Sequence, residues 1–429
     1  MTAASVSLPG STPSDVASAN STSADSASAN PMSDNDMSDN DMSANSKIDV
    51  VLECVGVTKR FGATTAVNDV SFQLGRGEAL AVVGPSGCGK STLLRMMAGL
   101  TGIDSGRITV GGNEVAGGST FVPAEKRGVG IVFQDLALFP HLSVADNIAF
   151  GLGRAPHVAR LRFWRGDQND DATQARVEQM LEMVGLTRFG DRFPHQLSGG
   201  EQQRVAIARA LALNPEVVLL DEPFSQLDRG LAARVRDEAI QALRSAGASV
   251  VLVTHDQEEA LAVGDRVAVL QAGRLVQLAE PEEVFHHPCN RFVSTFLGEA
   301  DFVTGVRHGS TAQTVLGDLP VVEGPDGDVE VMTRPHDLTV LPASAATSQP
   351  ADAPAHGVGV VQRLEFRGGD VLHHVALDAG PTIRALTSHT HKVAVGERVL
   401  VPIPDAHPLT AFAVACPTHK TPPSAITPR

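Results

Sequence analysis

At 429 residues and 44.9 kDa, the chain exceeds what one hydrophobic core organises, which excludes a single small domain. Hydrophobic residues (42%) and charged residues (19%) stand in ordinary globular proportion, and no apolar run approaches the roughly 18–20 residues that span a bilayer. A net charge of −15 argues against broad electrostatic binding to nucleic acid or anionic lipid.

Residues 1–47 are dominated by Ser, Ala, Asn and Asp, too poor in apolar surface to offset the entropy of ordering, and read as a disordered acidic tail. The tail lacks the basic start and apolar centre of a secretory signal, which fits a cytoplasmic protein. Cys54, Cys88, Cys289 and Cys416 are far apart and are expected to be reduced and mostly buried. From residue 48 to about 290, short β-branched runs alternate with helical patterns, the signature of an α/β fold. VLECVGVTKRF and AVNDVSFQL read as strands. ALAVVG, VGIVFQ, VVLLDE and SVVLVTH read as buried parallel strands whose polar C-terminal ends converge on one site. Between about residues 135 and 196 the pattern turns helical, an inserted subdomain in which Val177, Met180, Leu181 and Val184 mark one apolar face. The same stretch holds Arg154, Arg160, Arg162 and Arg165, read as a solvated surface segment. Residues 291–416 return to short strand-like runs, a separate β-rich domain containing a Pro/Ala/Ser loop at 342–357, and residues 417–429 read as a frayed tail.

The residues Gly84, Pro85, Ser86, Gly87, Cys88, Gly89, Lys90, Ser91 and Thr92 fit G-x-x-x-x-G-K-[ST] between a strand and a helix. Such a loop surrounds phosphate oxygens with backbone N–H groups, while Lys90 places a cation at the β and γ phosphates and Ser91 offers a hydroxyl to Mg²⁺. VVLLDEP ends in Asp221, suited to a water-mediated contact with Mg²⁺, and Glu222, a candidate general base. A base in that position supplies roughly 10²- to 10⁴-fold in rate. Taken alone, the Asp-Glu pair also fits a solvated strand edge.

Between these motifs LSGGEQQRVAIARAL, Leu197 to Leu211, resembles the signature segment of ATP-binding cassette (ABC) proteins. The resemblance extends over residues 48–290: Phe61 corresponds to the aromatic residue that stacks on adenine, Gln134 to the Q-loop, Ser225 and Asp228 to the D-loop, and His255 to the switch histidine. It implies a P-loop NTPase fold with ATP and Mg²⁺ as ligands, the metal contacted through Ser91, Gln134 and Asp221, with Glu222, His255 and Gln134 as catalytic residues. It further implies that Leu197, Ser198, Gly199, Gly200 and Glu201 meet the ATP held by a second copy in a head-to-tail dimer. Phe61 stands where the family more often has tyrosine, and Gln226 where the D-loop more often has a small residue or Asn.

FQDLALFPHLSVADNIAFGL resembles prokaryotic importer ATPases, in which this region receives a helix of the membrane subunit. Leu136, Leu138, Phe139 and Leu142 would then line an apolar groove, although the same positions also read as plain core. TRPHDLTVL resembles the OB-like regulatory domain of importers for sugars, polyamines, sulfate, molybdate and ferric iron; FLGEADFVTG and RLEFRGGDVLHHVAL are most similar to the ferric-iron type. The resemblance implies a peripheral protein on the cytoplasmic face of the inner membrane, partnered by integral membrane permease subunits and indirectly by an extracytoplasmic solute-binding protein. Sulfate or thiosulfate, polyamine and sugar are the alternative cargoes. A non-transport ABC ATPase acting on nucleic acid or ribosomes is the reading of a different class. His286 and His287, His373 and His374, and His389 and His391 are read as exposed pairs on hairpins, not as metal ligands.

Overall fold

The computed structural model describes residues 49–152, 168–225, 227, 229–322, 324–343, 357–391, 393–403 and 407–414. The acidic tail, the arginine-rich stretch, most of the Pro/Ala/Ser loop, Gln226, Asp228, Cys416 and the last residues lie outside them.

Two sheets build the first half. β1 (Val50–Phe61) and β2 (Thr64–Gly75) form an antiparallel pair that continues through β4 (Ser105–Val110), β5 (Asn113–Gly117) and β6 (Thr120–Phe121). The central sheet has the order β11-β10-β3-β9-β8-β7, from β3 (Ala79–Val83), β7 (Val129–Val132), β8 (Val217–Asp221), β9 (Ser249–Val253), β10 (Arg266–Gln271) and β11 (Arg274–Ala279). Its strands from β10 to β7 pair in parallel. β3 and β9 are buried at every residue, which is why they read as continuous Val/Leu runs without alternation. The expected parallel strands are therefore in place, with β3, β9, β8 and β7 adjacent and their C-terminal ends on one edge.

Helix α1 (Lys90–Ala98) fills the space between the two sheets, burying Leu93, Leu94, Met96 and Met97. Its C-terminal carbonyls are held by buried Arg127, whose Nη1 donates to Met96 O at 2.6 Å and Met97 O at 3.0 Å while Nε donates to Val122 O at 2.6 Å. A guanidinium at a helix C-terminus is favoured by the helix dipole, and here it also fixes α1 against the antiparallel sheet. The helical layer comprises α2 (Val144–Gly151), α3 (Gln168–Met183), α4 (Gly199–Leu211) and α5 (Arg229–Ser245), followed after β9 by α6 (Gln257–Val263). Val177, Met180, Leu181 and Val184 are all buried in the core these helices share with the central sheet, as their spacing requires.

Helices α7 (Pro281–His286) and α8 (Arg291–Phe296) lead to the β-rich half. Here β12 (Asp301–His308), β13 (Thr311–Thr314), β14 (Gly317–Pro320), β15 (Gly327–Thr333) and β21 (Ala411–Ala413) make one five-stranded sheet. A second is made by β16 (Leu341–Pro342), β17 (Gly357–Phe366), β18 (Asp370–Leu377), β19 (Thr382–Ser388) and β20 (Arg398–Val401). Their inner faces close on a common core that includes Val303, Val331, Val375 and Ile383. Arg334, fully buried, joins this half to α7 and α8. Its Nη2 donates to Phe285 O at 2.6 Å, its Nη1 to Glu299 O at 3.3 Å and Ser294 O at 3.4 Å, and its guanidinium lies 3.6 Å from the Phe285 ring.

Of three sequence readings that burial tests, one is corrected, that the histidine pairs are all exposed on hairpins. Cys54 and Cys88 are buried, but Cys289 is exposed, because it sits in the turn between α7 and α8. Of the histidine pairs, His373 is fully buried on β18 and His286 lies at the end of α7; His389 and His391 are exposed. Finally, Leu142 is core and Leu136 and Leu138 pack against that core.

Candidate active site

The phosphate loop leaves β3 at Gly84 and enters α1 at Lys90. Two glycines are dictated by space. A Cβ on Gly89, whose φ is +106°, would stand 2.2 Å from Ala66 O, and one on Gly84 would stand 2.3 Å from Leu270 O. Lys90 is buried with its ammonium turned back into the loop, donating to Gly84 O at 2.7 Å and Pro85 O at 3.2 Å. Ser91, one residue into the helix, donates its hydroxyl to Asp221 Oδ1 at 3.3 Å. Burial raises the Asp221 carboxyl above its ordinary range, the Ser91 hydroxyl opposes that shift, and the neighbouring Glu222 adds to it.

Glu222 follows directly in the left-handed region at φ +46°, its N–H bonded to Val253 O at 2.8 Å. This backbone corner turns the side chain across to β9, where Oε2 lies 2.9 Å from His255 Nδ1. The Ser225 hydroxyl donates to Glu222 O at 2.8 Å, and Gln134 Nε2 reaches Ser225 Oγ at 3.5 Å. Residues from the ends of β3, β7, β8 and β9 are thereby linked on one sheet edge. Phe61 is 54% exposed at the end of β1, with Lys59 Nζ over its ring at 5.5 Å from the centroid.

The loop carrying His255 is braced by residues that the sequence reading passed over. Thr254 Oγ1 donates to Glu259 Oε2 and accepts from Asp256 N at 3.0 Å, while Asp256 Oδ1 caps α6 by accepting from Glu259 N at 3.1 Å. Burial pushes the Glu259 carboxyl up to about 6. The spacing Asp256-x-x-Glu259 after a strand is a helix-cap signal from which this brace was readable.

The signature residues form the start of α4. Ser198 caps it: Ser198 N and Oγ both donate to Glu201 Oε2 at 2.7 Å, and Glu201 N donates back to Ser198 Oγ at 3.4 Å. These bonds hold the Glu201 carboxyl below its ordinary range. Leu197 and Gly200 are buried, whereas Ser198 and Gly199 face outward. Gly200 packs close to α5, where a Cβ would come within 2.8 Å of Val235 Cγ2.

Beside the Q-loop lies an apolar groove of about 640 Å³ lined by Phe133, Ala137, Phe139, Phe150, Leu152 and Leu213. Of the four residues expected there, Phe139 alone is in this lining. Leu136 and Ala137 both have positive φ (58° and 44°), reversing the alternation, and Arg209 holds the turn by donating to Leu136 O at 2.8 Å and Ala137 O at 2.6 Å.

The parallel sheet, phosphate loop and carboxylate-bearing strand end define an ATP-hydrolysing P-loop enzyme. A family model described as ABC transporter matches residues 67–225, and one described as TOBE domain matches residues 331–409. The Fe(3+) ions import ATP-binding protein FbpC 2 of Rhodococcus jostii is 44% identical over 77% of this chain and 88% of its own length. The Fe(3+) ions import ATP-binding protein FbpC of Pseudomonas fluorescens is 42% identical over 82% of this chain and 95% of its own. The sulfate/thiosulfate import ATP-binding protein CysA 2 of Agrobacterium fabrum is 45% identical over 66% of this chain and 79% of its own. The chain belongs to the ABC transporter family.

Proposed function

We propose that this ATPase energises import of ferric iron through membrane permease subunits, as a peripheral protein on the cytoplasmic face of the inner membrane. The observation that carries the catalytic part is the 2.9 Å contact between Glu222 and His255 at the strand edge beside the phosphate loop. Lys90 and the loop N–H groups hold the phosphates, Glu222 takes a proton from the attacking water, His255 orients that carboxylate and meets the γ-phosphate, and Phe61 stacks on adenine. The all-oxygen donors of Ser91, Gln134 and Asp221 suit Mg²⁺ arriving with ATP, which when bound neutralises charge on the phosphates. Ser198 and Gly200 complete the site of a second copy in a head-to-tail dimer, with Ser225 and Asp228 at the junction. The Phe139 groove receives a permease helix, and a solute-binding protein acts indirectly through that permease.

The catalytic test is Glu222→Gln, expected to lower ATP turnover by about 10²- to 10⁴-fold and to trap an ATP-bound dimer on size-exclusion chromatography. Near-normal hydrolysis overturns the assignment. The cargo rests on the ferric-import relatives together with FLGEADFVTG and RLEFRGGDVLHHVAL. ATPase stimulation of the reconstituted complex by an iron-loaded binding protein is the expected result. Stimulation by a sulfate-loaded protein instead would favour the second reading, which the 45% identity to the sulfate/thiosulfate relative supports.

A further inference from the structure

His255 lies between β9 and α6, and its side chain is 58% exposed, so the backbone on either side, more than packing, sets where its ring points. That backbone is tied down at several points. Thr254 N donates to Val82 O of β3 at 3.2 Å, two residues before the phosphate loop opens at Gly84. The Thr254 hydroxyl accepts from Asp256 N at 3.0 Å, which closes a turn around His255. A hydroxyl has one proton to give, and here it goes to Glu259 Oε2. Thr254 and Glu259 are both buried, and Glu259 Oε1 has no hydrogen-bond partner among the described residues. A buried carboxylate oxygen without a partner costs stability that a neutral residue at this position would not lose.

We propose that Glu259 is a positioning residue for ATP hydrolysis: by taking the Thr254 proton it locks the turn that aims His255 at Glu222 and the γ-phosphate, a role that rests on the part given to His255 above. Support of α6 is a separate matter, because other groups cap that helix. Asp256 Oδ1 accepts from Glu259 N at 3.1 Å, and Asp256 O accepts from Ala260 N at 3.2 Å. These bonds use the Glu259 backbone and not its carboxyl, so exchanging the side chain leaves the helix start in place. Without the carboxylate the Thr254 hydroxyl is free to rotate and the turn loosens. The imidazole then loses the fixed direction that keeps Nδ1 2.9 Å from Glu222 Oε2. Misplacing a reacting group by about 1 Å costs on the order of 10²-fold in turnover. The phosphate loop keeps its own bonds from Lys90 to Gly84 O and Pro85 O, so ATP binding does not follow the loss.

The test compares Glu259→Leu, Glu259→Gln and Thr254→Val with the parent, all as full-length chains, in ATP turnover and in fluorescent-ATP binding. Glu259→Leu and Thr254→Val should each lower kcat by roughly ten- to a hundredfold while ATP affinity stays within about twofold. Glu259→Gln, whose amide oxygen still accepts the Thr254 proton, should recover most of that loss. Circular dichroism checks the fold, and if Glu259→Leu fails it, Thr254→Val and Glu259→Gln carry the comparison. Undiminished kcat in the folded variants, ATP affinity falling in step with kcat, or Glu259→Gln no better than the variants lacking the bond would each overturn the proposal. His255→Ala is measured alongside to keep the two readings apart. If it is inactive while Glu259→Leu or Thr254→Val turns over normally, the positioning role alone fails; near-normal turnover in His255→Ala removes the part given to His255 and the positioning role with it.

Discussion

Replacing Arg334 by methionine keeps an unbranched apolar stem and removes the guanidinium with its charge and all its donors. The loss is largest at Phe285 O, which accepts two bonds from the guanidinium, at 2.6 and 3.2 Å. A charged hydrogen bond contributes about 1.5–3 kcal/mol, the longer contacts to Ser294 O and Glu299 O about 1 kcal/mol together, and the desolvated cation over the Phe285 ring about 2 kcal/mol. Against this stands the cost of burying the charge. Burial holds the guanidinium at about 10 instead of its ordinary 12.5, and that difference corresponds to about 3 kcal/mol that methionine does not carry. The balance is a net loss of about 1.5–3 kcal/mol. It should be local, because the carbonyls left without this donor belong to α7, α8 and the segment just after them. Hydrogen exchange read by mass spectrometry should show the amides of α7 and α8 losing protection by about 10- to 150-fold, with β3 and β9 unchanged. Protection within twofold of the parent would refute the reasoning.

Gly89→Ala should cut nucleotide affinity at least about tenfold in a fluorescent-ATP titration, because the new Cβ meets Ala66 O at 2.2 Å and the loop must move. Phe61→Ala should weaken ATP binding by about 5- to 150-fold, the 1–3 kcal/mol of one stacked base, and Phe61→Trp should restore it. Glu259 carries a pH signature: with its folded value at about 6 against 4.5 unfolded, the protonated form is favoured by folding. Its stabilisation is complete below about pH 4.5 and is lost as pH rises through 6, amounting to about 2 kcal/mol. Glu259→Gln should remove that slope from urea unfolding measured between pH 4.5 and 8, and an unchanged slope would assign it to other groups.

Much of the molecule was legible because its signals are local. Continuous Val/Leu runs announce strands buried on both faces, and the Val177, Met180, Leu181 and Val184 spacing announces a helix face; both are satisfied by near neighbours. The phosphate loop is likewise confined to nine adjacent residues whose backbone does the work. What stayed hidden depends on backbone sign or on distant partners. Two successive left-handed residues, Leu136 and Ala137, reverse which side chains face the groove, and nothing in two ordinary apolar residues advertises positive φ. His286 and His407 meet across 121 positions, a pairing made only by the docking of α7 on the β-rich half. His373 looks like any exposed hairpin histidine until the second sheet covers it.

The first turn of α4 already carries an anion, its own Glu201 carboxylate, seated on the N–H and hydroxyl of Ser198. A phosphate approaching that turn competes with a ligand tethered three residues away, whose effective concentration is on the order of millimolar or higher. Stray anions at micromolar levels lose that competition. In the proposed head-to-tail dimer, a nucleotide fixed on the second copy would present its phosphate at comparable effective concentration, so this helix end would discriminate by how an anion is delivered as much as by what it is.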